Sequence, residues 1–254
     1  MTEKLVIRRP PERSRSFSPV VELRRYTLHN GRREDLIRIF DGYFIESQEE
    51  AGMDVIGQFR DLDWPDCFVW LRGFDDMVSR KAALEAFYGG PVWAAHKDAA
   101  NATMIDYSDV LLLKPAWAGS AFDLAGSVRD ELGKLASFAV LSAVIFHIAQ
   151  ETEAEFVALM AEEAAPLLAQ HGGPPIAAFV TEHAENTFPR LPVRDEENVF
   201  VFFQRFADAL AHARHEAALE ADPVWTQDLL PRLKRHFTRP SERLRLAPTA
   251  RSLL

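Results

Sequence analysis

The chain is poor in the residues that usually announce a chemistry. A single cysteine, Cys67, stands among 254 residues, so no internal disulfide can form and no thiolate cluster can hold zinc. It opens a strand-like run and reads as a small buried apolar residue in a reducing compartment. No apolar run approaches the ~20 residues of a membrane span, and the opening residues lack the apolar stretch of a secretory signal. Phosphate-cradling glycine loops and the serine elbow of the hydrolases are missing too. Positive charge is in deficit: 29 basic residues face 38 acidic ones, a formal net charge of −9, which argues against a nucleic-acid backbone as partner. These absences predict a cytoplasmic protein with no metal, no organic cofactor, no nucleic acid and no membrane among its partners.

What is there is a pattern written twice. Val20 to Leu28 lies 120 positions ahead of Val140 to Ile148, and the same offset carries Leu36 and Phe40 onto Phe156 and Met160, and Gly52 onto Gly172. From Phe68-Val69-Trp70-Leu71 to Phe200-Val201-Phe202-Phe203, and from Pro91-Val92-Trp93 to Pro223-Val224-Trp225, the offset is 132. The second copy therefore carries about twelve extra residues in one loop, around Asn186 to Glu197. With 48% hydrophobic and 26% charged residues, each unit of roughly 110 residues can bury its own core. The expected organisation is a disordered basic tail over residues 1–18, a first domain over 19–117, a linker over 118–137 and a second, degenerate domain over 138–250. Leu124, Val128, Leu132 and Leu135 recur at helical spacing, so the linker is expected to hold a short helix despite Gly119, Gly126 and Gly133.

Inside each copy the apolar period gives the order of elements. Val20–Leu28 alternates as a strand, Leu36, Ile39/Phe40 and Tyr43/Phe44 mark an amphipathic helix that Gly52 closes, and two strands follow around 55–60 and 67–74. A helix capped by Asp76, a short helical piece after Pro91 and a strand through Val110 to Lys114 complete the unit. That order, β-α-β-β-α-β, is the ferredoxin-like split unit, with both helices on one face of the sheet. The third strand is apolar on both faces, Phe68, Trp70 and Phe74 on one side and Val69 and Leu71 on the other, so both sides of the sheet must be covered. The second copy is the expected cover. The fold class is thus α+β: tandem ferredoxin-like units packed sheet to sheet as a barrel within one chain.

Val21-Glu22-Leu23-Arg24-Arg25-Tyr26-Thr27-Leu28 followed by Gly31 resembles the opening strand of NIPSNAP-like proteins, members of the dimeric α/β-barrel superfamily. Gly90-Pro91-Val92-Trp93 resembles the turn after the second helix of that family. The superfamily includes cofactor-free monooxygenases, small lactone isomerases, haem-dependent enzymes and proteins without assigned chemistry, so the resemblance implies a pocket rather than a reaction.

The catalytic candidates are Glu22, Arg24, Tyr26 and His96. Glu22, Arg24 and Tyr26 share one face of the first strand, whereas the second copy has Ser142, Val144 and Phe146, which makes it look like scaffold. One reading is a plain ion pair closing a sheet edge, with Tyr26 bonded at a rim. In the other, Arg24 holds an anionic or enolate oxygen while Glu22, Tyr26 or His96 moves a proton. His212, His215 and Glu216 have a spacing that can place metal ligands on one helix face, but the stretch reads otherwise as a solvated face and no third ligand is linked to it. His147 faces either the core or the barrel seam, and Asp61, Asp63, Trp64 and Asp66 read as a strand connection. Two functions follow: a protein that binds a small, largely apolar molecule in the first domain, as a cofactor-independent monooxygenase or isomerase, or a non-catalytic binding or assembly module with a filled barrel. Pairing of two such chains is compatible with either.

Overall fold

The computed structural model describes residues 17–254, so the expected basic tail lies, up to residue 16, outside the described residues. Strand β1 (Val20–Leu28) alternates as its side chains predict: Val21 and Leu23 point to one core, Val20, Tyr26 and Leu28 to another. Helix α1 (33–50) contains a widened π turn at Phe40–Phe44, which sets Phe40 and Phe44 on the sheet together. Gly52 follows at φ +98°, a left-handed geometry that an L side chain would strain. After β2 (Asp54–Asp61) and β3 (Cys67–Phe74) comes α2 (Met77–Tyr88), whose first turn is capped by Asp76 accepting from the Ser79 amide at 2.7 Å. Helix α3 (Pro91–Asn101) starts on its proline, and β4 (Met104–Pro115) is longer than the apolar run Val110 to Lys114 suggested.

The second half repeats this order with β5 (Val140–His147), α4 (153–170), β6 (Pro175–Thr181), β7 (Val199–Phe206), α5 (Ala209–Ala221), α6 (224–234) and β8 (Glu242–Pro248). Its first helix has the same π turn, Met160–Ala164, 120 positions on, and Gly172 takes φ +80° where Gly52 does.

All eight strands join in one closed antiparallel barrel of order β1-β3-β2-β8-β5-β7-β6-β4. The halves meet edge to edge, β2 on β8 through Phe59↔Pro248 and β4 on β6 through Leu113↔Thr181. Closure leaves no free strand edge. The inward rows of both halves, among them Leu23, Leu71, Ile145 and Phe203, fill the barrel as one apolar core, while the outward rows pack on the helices of their own half. Val69 and Val201 are both fully buried, as two-sided strands require.

The barrel ends are closed differently. At one, the linker lays Phe122 on Phe179 and Phe203, with ring centroids 5.3 and 4.9 Å apart. The linker helix expected from sequence is not formed. Gly119, Gly126 and Gly133 all take positive φ and break the chain into turns, and Val128, Leu132 and Leu135, whose spacing suggested the helix, stand exposed. At the other end the inward rows finish in charges: Arg25, Asp109, His147 and Glu242 interlock with Arg194 and Glu197 from the loop before β7.

Candidate functional site

Glu22, Arg24 and Tyr26 occupy the helix-facing row of β1, and the strand lies between β3 and β4 rather than at an edge. Glu22 is completely buried. Its carboxylate accepts from Arg24 Nη1 at 2.6 Å, Arg72 Nε at 2.7 Å and Arg80 Nε at 2.6 Å. Burial pushes its pKa up, but three guanidinium groups hold it well below the ordinary carboxylate range, so it stays ionised. The proton-exchange role expected for Glu22 is thereby corrected: both oxygens are occupied and the group is a charge anchor.

The cluster carries one negative and three positive charges, and Arg24, Arg72 and Arg80 each keep an Nη2 without a partner. Aromatic faces take up part of the excess. Arg72 lies 5.0 Å from the Trp70 ring and 5.6 Å from Phe74, and Arg24 lies 5.5 Å from Tyr26 and 5.6 Å from Trp70. Sequence reasoning missed Arg72 and Arg80. The signal for Arg72 was a charge in the middle of an apolar strand, a pattern that demands a buried partner.

Arg24 Nε also donates to the Tyr26 oxygen at 3.0 Å. Burial raises the pKa of Tyr26, and the nearby Tyr88 adds to this, while Arg24 opposes it. With its oxygen occupied by the guanidinium, the protonated phenol turns its O–H elsewhere, and Tyr26 lines a cavity of about 340 Å³. The opposite walls are Tyr88, Trp93 and Met104, with Lys97 on α3. The roof comes from the other half of the chain: Phe188, Arg190 and Leu191 belong to the twelve-residue insertion. That loop is fastened by Asn186 accepting from Arg80 Nη1 at 3.0 Å, by Thr187 donating to the Met77 carbonyl at 3.1 Å, and by Phe188 stacked on Tyr88 at 5.9 Å. The insertion was legible in the sequence; its place over the first unit was not, because no local pattern says which unit a loop crosses.

His96 is not brought to the cluster or the cavity. Its ring lies flat on Tyr43, centroids 3.8 Å apart, on the outer side of α3 against α1, and this removes the geometric basis for its proposed base role. Asp61 accepts from the Asp63 and Trp64 amides and closes a strand connection away from the cavity, as expected. Cys67 is half-buried, with its thiol pushed up to about 11 by burial and the neighbouring Asp61. His147 joins the charged barrel end, with Nε2 2.9 Å from Glu242. His212 and His215, expected on a solvated helix face, are instead buried against the sheet of the second half. Among the described residues no group of three or more potential ligands is arranged to hold a metal ion, and no helix is long and apolar enough to cross a membrane.

Solved structures share this fold over nearly their whole length. A candidate monooxygenase from Lactobacillus acidophilus NCFM is 14% identical, with 91% of this chain and 94% of that one covered at a TM-score of 0.56. A candidate monooxygenase from Fusobacterium nucleatum is 8% identical, with 92% and 93% covered at 0.58. An anthrone oxidase-like protein is 10% identical, with 93% and 92% covered at 0.57. At such identities the likeness is one of fold. No curated protein matches the chain in sequence. The NIPSNAP family model matches residues 21–118, which span β1 to β4 with every wall of the cavity except its roof.

Proposed function

We propose that the chain binds a small, largely apolar organic molecule carrying one carboxylate or carbonyl oxygen, in the cavity of a first ferredoxin-like domain (19–117) joined by the linker 118–137 to a second such domain (138–250). The observation that carries this reading is the Tyr26 phenol, fixed by Arg24 with its O–H left for a ligand oxygen at the floor of a cavity of about 340 Å³. Lys97 and Arg190 supply positive charge at the walls, and Tyr88, Trp93 and Phe188 supply flat apolar surface. An enolate or other oxyanion would be stabilised here by the phenol and by the arginine behind it. That is the minimum needed for isomerisation, or for oxygenation of a substrate that itself supplies the carbanion, without metal or organic cofactor.

The second reading, binding without turnover, is favoured by the state of the bases: Glu22 is saturated by arginines and His96 stands apart. Either reading works in a single chain, since the barrel closes on itself. Calorimetric titration with 2-naphthoate tests them at the first step. Tyr26→Phe and Arg190→Ala are each expected to weaken binding about tenfold. Parent-like affinity in both variants would remove the pocket assignment.

A further inference from the structure

The second half repeats the place of the arginine cluster without the cluster. Glu22, Arg24, Arg72 and Arg80 correspond, at the offsets of the repeat, to Ser142, Val144, Gln204 and His212. The loss of three guanidinium groups leaves a cavity of about 390 Å³ between the sheet and α5 of the second half. Five of the residues lining it, Phe146, Leu168, Phe202, Leu219 and Trp225, are the counterparts of Tyr26, Gln48, Trp70, Phe87 and Trp93, which enclose only about 40 Å³ in the first half. The two units therefore use different spaces: the first fills this one with charge and opens another beside it.

We infer that the second half holds its own binding site, for a protonated amine carried on a flat aromatic body. The site is rich in acceptors and poor in donors. His215 Nδ1 donates to the His171 carbonyl at 2.9 Å, and its Nε2 accepts from the Gln204 amide nitrogen at 3.0 Å, which also bonds the Gly173 carbonyl. The amide hydrogens of Gln204 are thus spent and its oxygen is left over. Ser142 and His212 are 95% and 96% buried, and among the described residues no hydrogen bond engages Ser142 Oγ or His212 Nε2. Burial lowers the pKa of His212 and keeps the ring neutral, an acceptor for a ligand N–H. Glu216, whose carboxylate lies 3.5 Å from His212 Nδ1, and Glu220 stand on the same helix at the mouth. Arg243 is the one cation of the lining, and it faces Glu216 at 3.8 Å. An ammonium group brings the hydrogens these acceptors lack. Phe146, Phe202 and Trp225 give the lining aromatic surface suited both to its charge and to an aromatic body. The first cavity, with Lys97 and Arg190, has the opposite sign.

The inference stands independently of the reading of the first half and is tested with tryptamine against two analogues of similar shape, the uncharged tryptophol and the anionic indole-3-propionate. Calorimetry on the full chain is expected to show tryptamine bound about tenfold more tightly than tryptophol, with indole-3-propionate weakest. Val144→Arg, which returns the first-half residue to the cavity, should abolish tryptamine binding while its circular-dichroism melt shows a folded protein. Should that variant not fold, Glu216→Gln at the half-exposed mouth decides, with an expected loss of about tenfold. The proposal is overturned if tryptamine does not bind, if either analogue matches it, or if folded Val144→Arg or Glu216→Gln binds it as the parent does.

Discussion

Replacing Glu22 by glutamine keeps the shape of the side chain and removes the single negative charge among three buried arginines. Three bonds of 2.6 to 2.7 Å would lose the negative charge of their acceptor, and the Gln amide nitrogen would turn donors toward donors. Removing one member of a buried ion cluster costs about 3–5 kcal/mol because the remaining charge is left uncompensated. That is a large fraction of the stability of an ordinary domain. The assay is equilibrium urea unfolding at pH 7, read as a shift in midpoint at unchanged slope. The acid dependence gives a second handle. A carboxylate whose pKa falls on folding contributes stability that is fully present above its unfolded value, about 4.3, and is lost as pH falls below it, so Glu22→Gln should flatten the acid limb of the stability curve. Adding Arg80→Gln restores the original net charge of the cluster and should recover about 1 kcal/mol or more of the loss. A Glu22→Gln protein within about 1 kcal/mol of the parent would refute the reasoning, since it would mean that something other than Glu22 balances these arginines.

Three further outcomes are expected. Burial pushes the Asp41 carboxyl up to about 6, so the folded state holds its proton more tightly and stability falls as pH rises through roughly 4 to 6; Asp41→Asn should gain about 2 kcal/mol at pH 7 and none below pH 4, by thermal melts across that range. Gly173→Ala would put a methyl carbon 2.4 Å from His215 Cε1 and 2.6 Å from Gln204 Nε2, and hydrogen–deuterium exchange should show α5 loosened while α2 keeps its protection. Gly52→Ala, at φ +98° with space around it, should cost about 1–2 kcal/mol of backbone strain, measured by urea unfolding.

Most of the architecture was open to a reader of the sequence, because strands with two apolar faces leave few alternatives. Val69 and Phe68 could both be buried only if the sheet was covered twice, and the repeat supplied the second cover. The linker misled for a reason of the same kind: Leu124, Val128 and Leu135 kept a helical spacing, yet backbone freedom at three glycines outweighed it. The site was half legible. Glu22, Arg24 and Tyr26 could be assigned to one strand face by counting in twos, but Arg72 and Arg80 meet them only through tertiary packing. His96 misled because helical position says nothing of which neighbour a ring will stack on, and Tyr43 lay on the other helix. The second half was read as scaffold from its lost charges; the space those losses opened became visible only once side chains had volumes.

The roof of the first cavity is made by a loop that the first half does not possess. Were the barrel assembled from two identical chains, every insertion would appear on both sides of the symmetry axis, and a roof over one cavity would be a roof over the other. Covalent joining lifts that constraint. Residues 186–197 can reach Arg80 and Met77 without any counterpart having to reach His212 and Ala209. It also removes concentration from the equilibrium: dilution, which would pull two separate chains apart and dismantle both cavities, leaves this one intact. Each half is then free to change its lining without answering for the same change in its twin.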